Sequence, residues 1–293
     1  MARKSNIPDF FIIGAPKCGT TSLAIWLGEH PEVFMCKPKE PYYYCPDVVA
    51  HRFVENRAEY ERLLRFAGSE QCVGEASTAY LRSRVAVPRI LSDRPDARFV
   101  VCLRNPVDMA PSVHAQLLSG GRIRDRDFKI AWKKQITWFT PSGPECIRDV
   151  CSLGTQVERL LSTVPRNQVL FVLQEDLKSM ARMVYKGILD FIDVGDDGRT
   201  DFTAINTRLY TRSIGVARAT SFAREVKSRV GVSKRLGIGP LISKINSRPA
   251  NMERSALSPD LRRSLLDAFR CDIELLESLI GRDLSHWRDA NVM

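Results

Sequence analysis

The segment from Gly14 to Ser22 combines the residue types that bind phosphate groups in proteins. It follows Phe10–Ile13, a short apolar run typical of a strand buried on both faces. Apolar residues at helical spacing follow Thr20, so the segment leads from a strand into the N-terminus of a helix. Glycines there let successive backbone N–H groups converge on an anion, and Lys17 adds a positive charge. We predict that this phosphate-binding loop is made of Pro16, Lys17, Cys18, Gly19, Thr20, Thr21 and Ser22.

The position of the lysine separates this loop from the loop of nucleoside-triphosphate enzymes. That loop has the form Gly-x4-Gly-Lys-Ser/Thr, with its lysine directly after the second glycine. Here Thr20 follows Gly19, and the lysine lies earlier, at position 17. The acidic magnesium partner of such enzymes is also missing from its expected place. The loop is therefore predicted to bind phosphate without hydrolysing ATP. A P-loop-type kinase and an ordinary glycine-containing turn are the alternatives.

A second group of anion-binding residues follows the apolar segment Phe99–Leu103, which is predicted to be another buried strand. Arg104 comes directly after it, in the sequence Arg-Asn-Pro, and Ser112 lies eight residues further on. An arginine at the carboxyl end of a strand reaches the ligand crevice of a parallel sheet, and its planar donors suit phosphate. Ser112 is predicted to lie about two helical turns after Arg104. The tripeptide Arg-Asn-Pro alone is weak evidence for a binding site. Together with the first loop, it indicates two phosphate sites.

These two segments resemble the PAPS-dependent sulfotransferase superfamily, where PAPS is 3′-phosphoadenosine-5′-phosphosulfate. In that family the 5′-phosphosulfate loop has the form Pro-Lys-x-Gly-Thr-Thr, and a strand ends in Arg-x-Pro with a serine eight residues after the arginine. The resemblance extends over most of the chain and is greatest for the heparan-type branch and its bacterial relatives. It implies that Arg104 and Ser112 hold the 3′-phosphate and that Lys17 stabilises the leaving oxygen.

The resemblance also implies a reaction. The chain is expected to transfer a sulfuryl group from PAPS to a hydroxyl or amine and to release adenosine 3′,5′-bisphosphate. PAPS is the expected co-substrate, and no metal is required. The acceptor class stays open among a glycan, a lipid and a small natural product. A fold of this family that has lost activity and only binds nucleotide is disfavoured, because the motif residues are retained.

The resemblance maps the proposed catalytic base of the heparan-type branch onto Glu40, in Lys-Pro-Lys-Glu-Pro-Tyr-Tyr-Tyr. Lys37 and Lys39 would keep this carboxylate ionised, and the tyrosines at 42–44 are expected to line an acceptor pocket. A loop carboxylate that only pairs with a lysine is the alternative. His30 is interpreted as a capping residue and His114 as a structural residue.

Glu75 is the second candidate for the catalytic base, because it follows a short strand that is expected to end near the crevice. A structural carboxylate that supports a neighbouring loop is an equally good interpretation. Several relatives carry a lysine where this chain has Ala76, so any contribution of that lysine to the reaction is absent here. Arg208 and Arg212 are further candidates for the 3′-phosphate, although a solvated basic turn explains them as well.

The charge of the chain favours anionic partners without choosing among them. Lys and Arg number 44 against 34 Asp and Glu, a net charge of +10. The basic residues are scattered, with richer stretches near 122–134 and 224–235. A basic nucleic-acid-binding protein that uses helix 223–235 is the non-enzymatic alternative, but no nucleic-acid module is recognisable. We therefore predict no nucleic-acid partner.

The cysteines and the apolar segments indicate in which cellular compartment the protein is expected. None of the eight cysteines forms a Cys-x-x-Cys pair, and no histidine joins them at metal-ligand spacing. The N-terminus lacks the apolar stretch of a signal peptide, and no segment is apolar over the length of a membrane span. We therefore expect a cytoplasmic protein with mostly free thiols, and a Cys146–Cys151 disulfide stays open.

Strands that alternate with helices predict the fold class. We expect a single α/β domain over 1–293, with a central parallel sheet, a P-loop-like phosphate-binding loop after the first strand, and helices on both faces. Its core is predicted at about 9–195 and a C-terminal helical portion at about 213–287. One helix is predicted over 177–192, and 120–151 is predicted to be a long loop or flexible lid.

Overall fold

A central parallel sheet organises the molecule. The computed structural model describes residues 7–50, 52–68, 71–203, 209–211, 247–249 and 257–289. The five strands of the sheet are β1 (Phe10–Gly14), β2 (Val33–Met35), β3 (Cys72–Ala76), β4 (Arg98–Leu103) and β7 (Val169–Leu173). All neighbouring pairs are parallel, in the order β2-β3-β1-β4-β7. This arrangement confirms the predicted parallel α/β sheet.

Two short antiparallel pairs lie outside this sheet. They are β5 (Thr137–Thr140) with β6 (Gly143–Cys146), and β8 (Leu209–Thr211) with β9 (Ser247–Pro249). The described helices are α1 (Thr20–Gly28), α2 (Arg57–Leu64), α3 (Ala86–Asp93), α4 (Pro106–Ser119), α5 (Phe128–Lys133), α6 (Ile147–Cys151), α7 (Leu153–Leu161), α8 (Gln174–Ser179), α9 (Ala181–Phe191) and α10 (Pro259–Ile280). None of these helices is both long enough and apolar enough to cross a lipid bilayer.

The core lies around β1 and β4, whose side chains are covered on both faces of the sheet. Every residue of β1 is buried, as are Phe99–Leu103 of β4. Continuous apolar runs of this kind are expected where helices cover a parallel sheet. Phe11 stacks on Phe99 with ring centroids 6.1 Å apart, so the two central strands are also joined through their side chains.

Helix α10 closes the C-terminal part of the described chain against the core. Ser258 accepts a hydrogen bond from Leu261 N at 3.4 Å, and Pro259 occupies the first turn, so both residues favour the start of the helix at this point. Its Asp272 accepts hydrogen bonds from the backbone N of Gly154 at 2.8 Å. A Cβ at Gly154 would lie 2.2 Å from the carbonyl oxygen of Asp272, so only glycine permits this close contact between α7 and α10.

The prediction of a long loop or lid over 120–151 is wrong for residues 128–151. This stretch contains α5, the β5–β6 hairpin and α6. Each element has six residues or fewer, so none is long enough to show a hydrophobic period. Contacts distant in sequence hold the hairpin: Ser142 N donates to Asp47 O at 3.0 Å, and Arg82 pairs with Glu145. Such tertiary contacts override local sequence signals.

Two further predictions differ from the structure. The single helix predicted over 177–192 is divided at Met180, whose φ of −134° and ψ of 39° lie outside the helical region. Because Met180 is neither glycine nor proline, the sequence carries no breaker signal there. Strand β2 was not predicted, since three residues are too few to establish a strand pattern.

Candidate active site

A cleft of about 360 Å³ lies where β1 and β4 end. In the sheet, β3 and β2 lie on one side of β1, whereas β4 and β7 lie on its other side. The carboxyl ends of strands at such a switch point are the usual ligand site in parallel α/β sheets. The cleft is lined by Pro16, Lys17, Gly19, Thr20, Thr21, Ser22, Lys39, Glu40, Thr78, Arg104, Ser112, Gln116 and Gln174.

A second cavity, of about 330 Å³, lies between α5, α6 and α10 and contains none of the predicted site residues. Two of its polar side chains already have partners within the protein. Trp132 Nε1 donates to Ser264 Oγ at 3.2 Å, and Arg148 Nη2 donates to Ala268 O at 2.9 Å. We therefore assign the chemistry to the cleft at the strand ends.

The N-terminus of α1 gives the cleft its anion-binding backbone. Gly19 is the N-cap with a φ of 92°, a conformation that favours glycine, and it offers no side-chain cap. The first N–H groups of a helix have no carbonyl partner within the helix, so those of Thr20, Thr21 and Ser22 suit an anion. The helix dipole adds to this attraction. Six of the seven residues predicted to form the phosphate loop line the cleft: Pro16, Lys17, Gly19, Thr20, Thr21 and Ser22.

The peptide at Lys17 is held in place from two neighbouring strand ends. Its carbonyl oxygen accepts hydrogen bonds from Arg104 Nη1 and from Gln174 Nε2, each at 3.1 Å. Ala15 N donates to Cys102 O at 2.7 Å, which ties the loop to β4. These contacts support Lys17 at a φ of 68°, a left-handed conformation that costs about 1–3 kcal/mol in a non-glycine residue.

Arg104 and Ser112 meet in the cleft, as the motif spacing predicts. Arg104 Nη1 lies 3.3 Å from Ser112 Oγ, and Arg104 is only 5% exposed. The residues between them explain the arrangement. Asn105 caps α4 by accepting from Val107 N at 3.0 Å, and Pro106 starts the helix. Asn105 Nδ2 also donates to Trp287 O at 3.1 Å, so the C-terminal region braces this turn.

Cys18 lies within the loop, but its side chain is buried beneath the cleft. Its Sγ contacts Pro16 O at 3.4 Å. Burial raises the pKa of the Cys18 thiol to about 12, although the nearby positive charges of Arg104 and Lys17 oppose the shift. The thiol is therefore neutral at physiological pH, and only the Cys18 backbone is available for binding a phosphate.

Glu40 lies at the edge of the cleft with hydrogen bonds to both carboxylate oxygens. Oε1 accepts from Thr78 Oγ1 at 2.8 Å and from Lys39 Nζ at 3.2 Å, and Oε2 accepts from the Tyr42 hydroxyl. Glu40 N donates to Ala76 O at 2.9 Å, so the segment rests on the end of β3. Of the two flanking lysines, Lys39 forms the ion pair with Glu40.

The prediction that the tyrosines at 42–44 all line an acceptor pocket is wrong for two of them. Tyr43 and Tyr44 are 7% and 1% exposed. Tyr43 stacks on Tyr60, with ring centroids 4.5 Å apart, and the Tyr44 hydroxyl donates to Asp93 Oδ2 at 2.9 Å. Both rings are part of the core because the chain turns inward after Tyr42.

Glu75 lies within β3 and is fully buried, away from the cleft lining. Its Oε2 accepts from the hydroxyls of Tyr60 at 2.5 Å and Tyr80 at 3.2 Å. Its Oε1 has no hydrogen-bond partner among the described residues. Burial raises the pKa of Glu75 from 4.5 to about 7, although hydroxyl groups around it oppose the shift.

Sequence reasoning missed three residues of the cleft. Gln174 follows β7 directly, so the rule that ligands bind at strand ends identifies it. Gln116 lies one helical turn after Ser112, and Thr78 follows β3 without a recognisable motif. Arg208 and Arg212, which were predicted near the 3′-phosphate, lie outside the described residues.

His30 and His114 lie outside the cleft lining and bind backbone carbonyl groups. His30 Nε2 is 2.9 Å from Gly195 O, and His114 Nε2 is 2.9 Å from Asp125 O. Both rings are buried and support loops, in agreement with the interpretation of His114 as a structural residue. His30 Nδ1 also accepts from Glu32 N at 3.0 Å just after α1, which is consistent with its interpretation as a capping residue. In the part of the chain that the structure describes, no three His, Cys, Asp or Glu side chains form a metal-ligand cluster.

Comparison with known proteins reveals local similarity to two curated sulfotransferases. The chain is 27% identical over 106 residues to "Membrane-associated sulfotransferase kil1" of Dictyostelium discoideum, a match that covers 36% of this chain and 22% of that protein. It is 31% identical over 116 residues to human "Heparan sulfate glucosamine 3-O-sulfotransferase 6", covering 40% of this chain and 32% of that protein. The chain thus spans a third or less of these two relatives.

A solved structure and a domain family match over longer ranges. A sulfotransferase from Alicyclobacillus acidocaldarius superposes with a TM-score of 0.71 at 27% identity, covering 96% of this chain and 99% of that one. The Sulfotransferase domain family matches residues 7–211, which include the phosphate loop, Glu40, Arg104 and Ser112. These matches confirm the resemblance drawn from the two phosphate motifs. The chain therefore belongs to the sulfotransferase family.

Proposed function

We propose that this protein transfers a sulfuryl group from PAPS to a hydroxyl or amine of an acceptor and releases adenosine 3′,5′-bisphosphate. The observation that carries the proposal is the pairing of two anion-binding groups in one cleft. The loop at the N-terminus of α1 is one group, and Arg104 with Ser112 is the other. PAPS presents two anionic groups of this kind, a 5′-phosphosulfate and a 3′-phosphate.

The residues of the cleft fit such a ligand. Lys17, Lys39 and Arg104 supply positive charge among the described lining residues. The backbone N–H groups at the helix N-terminus and the hydroxyls of Thr20, Thr21 and Ser22 supply hydrogen-bond donors. When bound, PAPS supplies an activated sulfuryl group whose leaving group is a phosphate. The loop would hold the phosphosulfate, and Arg104 with Ser112 would hold the 3′-phosphate.

Two residues have proposed roles in the transfer itself. Lys17 stabilises negative charge at the leaving oxygen, which grows as the bond to sulfur breaks. Glu40 accepts the proton that the acceptor hydroxyl or amine loses as its new bond to sulfur forms. Glu40 is favoured over Glu75 because it lines the cleft, whereas Glu75 is fully buried in β3. Glu75 is proposed to be a structural carboxylate.

We also propose a cytoplasmic location. All eight cysteines are free thiols, and Cys146 and Cys151 do not form a disulfide. Free thiols persist in the reducing cytoplasm, whereas secreted proteins tend to form disulfides. The alternative of a P-loop-type kinase is less well supported, because the lysine is at position 17 and not directly after Gly19.

The test is an acceptor screen with PAPS that carries a radioactive sulfur in the sulfuryl group. Purified protein is incubated with a panel of glycans, lipid alcohols and small phenols or amines, and label transfer is measured with release of adenosine 3′,5′-bisphosphate. Sulfur label avoids confusion with phosphorylation, because the two groups have nearly equal mass. We expect transfer to at least one class and none with Lys17→Ala. Phosphorylation from ATP by the wild type, without any sulfur transfer, would contradict the proposal.

A further inference from the structure

Lys39 lies between the phosphate loop and the carboxylate at the edge of the cleft. Its Nζ is 3.5 Å from Thr20 Oγ1 and 3.2 Å from Glu40 Oε1. Thr20 is the first residue of α1, where the anion-binding N–H groups are located. The ammonium group therefore connects the two parts of the cleft that carry different steps of the proposed chemistry.

The position of this ammonium group matters for transfer of a charged group. If the loop holds the phosphate and Glu40 faces the acceptor, the transferred group must pass through the space between them. Lys39 Nζ is within 3.5 Å of both boundaries of that space. During transfer, negative charge builds up on the leaving oxygen. A fixed cation beside the transferred sulfuryl group stabilises that charge and lowers the barrier. Only 26% of the Lys39 side chain is exposed, so water screens its charge less than on an open surface.

The backbone at Lys39 and Glu40 is fixed against β3, which sets the position of the Lys39 side chain. Glu40 N is bonded to Ala76 O at the end of β3, and Glu40 has a left-handed φ of 66°. Ala76 itself is 1% exposed and carries no charge. The positive charge at this edge of the cleft therefore comes from Lys39, in the segment that lies over β3, and not from β3 itself.

We propose that Lys39 is a second catalytic cation, which contacts the sulfuryl group of PAPS directly. The proposal rests on the proposed sulfotransferase function. It differs from a simple ion pair, in which Lys39 only neutralises Glu40. A partly exposed ion pair of that kind contributes about 0–1 kcal/mol and gives no preference for one nucleotide over another. A direct contact gives such a preference, because PAPS carries the sulfuryl group and adenosine 3′,5′-bisphosphate does not.

The test compares binding of these two nucleotides by calorimetry, without an acceptor. Wild type, Lys39→Met and Lys39→Arg are titrated with each nucleotide. Lys37→Met is the matched control, since Lys37 lies two residues earlier, is exposed and is not among the described residues of the cleft lining. We expect Lys39→Met to weaken PAPS binding on the order of tenfold, as for one lost charge-assisted contact. Binding of adenosine 3′,5′-bisphosphate should change by less than about twofold.

The remaining outcomes distinguish this inference from the proposed function. Partial recovery of PAPS affinity in Lys39→Arg, with Lys37→Met unchanged, would support direct contact by a cation. An equal loss for both nucleotides, or no loss for either, would overturn the role of Lys39 and leave the sulfotransferase function standing. Failure of the wild type to bind either nucleotide would overturn the function itself, and the role of Lys39 with it.

Discussion

Glu40, Tyr42 and Lys17 share a backbone feature that their side-chain chemistry does not require. All three have positive φ angles, of 66°, 57° and 68°, although none is glycine. Each such residue costs about 1–3 kcal/mol and persists only where surrounding contacts hold it. The hydrogen bonds at the Lys17 carbonyl and at the Glu40 carboxylate are contacts of this kind. Strain of this type accumulates at sites that must hold side chains in fixed positions.

The residue scale is also where sequence reasoning had its clearest success and its clearest gap. The spacing of Lys17, Arg104 and Ser112 identified the cleft, because these residues belong to motifs that combine a strand end with a turn. Thr78 lines the same cleft without any motif. Its contribution depends on how the turn after β3 folds, and a linear pattern does not carry that information.

At the residue scale, Glu40→Gln tests the proposed base. The amide keeps the size of the side chain and can still accept from Thr78, but it cannot accept a proton at neutral pH. We expect turnover to fall by about 10²–10⁴-fold, the usual effect of losing one general base. Affinity for adenosine 3′,5′-bisphosphate should remain within about twofold of the wild type. The measurement is steady-state sulfur transfer with the acceptor found in the screen, and calorimetry with the nucleotide.

Two matched variants complete the Glu40 test. Glu55→Gln removes an exposed carboxylate outside the cleft lining and should leave turnover unchanged. Glu75→Gln should be much milder than Glu40→Gln, provided that circular dichroism shows it is folded. Near-normal turnover in Glu40→Gln beside a collapse in folded Glu75→Gln would transfer the role to Glu75.

At the scale of elements, unbroken apolar runs decided what the sequence predicted. The predicted strands at Phe10–Ile13 and Phe99–Leu103 agree closely with β1 and β4, because an unbroken apolar run is typical of a strand that is buried on both faces. The elements of residues 128–151 have no such run and are too short to show a hydrophobic period. They form because Ala131, Trp138, Ile147 and Val150 bury their side chains, and burial against distant residues is invisible in a short window of sequence.

The junction of β3 with α2 contains the buried carboxyl of Glu75. Tyr60 of α2 donates to Glu75, so the two elements are connected by a polar contact within an apolar core. An acid whose pKa is raised in the folded state stays protonated there while the unfolded chain ionises. Below pH 4.5 it is neutral in both states and imposes no penalty. As the pH rises from 4.5 to about 7, the folded state loses stability relative to the unfolded state.

We therefore expect a pH-dependent difference between wild type and Glu75→Gln. The free energy of unfolding of the wild type should fall relative to the variant between pH 5 and 8 by up to about 3 kcal/mol. Urea unfolding of both proteins at pH 5 and pH 8 measures this free energy. The difference between wild type and variant cancels the contributions of all other titrating groups. Parallel pH profiles for the two proteins would show that Glu75 ionises in the folded state as freely as in the unfolded chain.

At the scale of the whole molecule, the parallel sheet brings distant parts of the chain to one edge. Lys17, Glu40, Arg104 and Gln174 come from four separate segments, and each lies near the carboxyl end of a strand. The net charge of +10 raises the local concentration of anions around the molecule, but it does not select among them. We propose that selection comes from the spacing of the two anion-binding groups, and that the cleft recognises an adenine nucleotide phosphorylated at both the 5′ and 3′ positions.

Calorimetric titration with adenosine 3′,5′-bisphosphate and with AMP, which lacks only the 3′-phosphate, tests that claim most directly. Without magnesium, we expect the wild type to bind the bisphosphate about 100-fold more tightly than AMP, as for two lost contacts to a charged phosphate. Arg104→Ala should largely remove this preference. Ser112→Ala, which leaves the Arg104 contact to the Lys17 carbonyl in place, should reduce it by a smaller factor. Equal affinity of the wild type for the two nucleotides, or tighter binding of ATP than of the bisphosphate, would contradict the account.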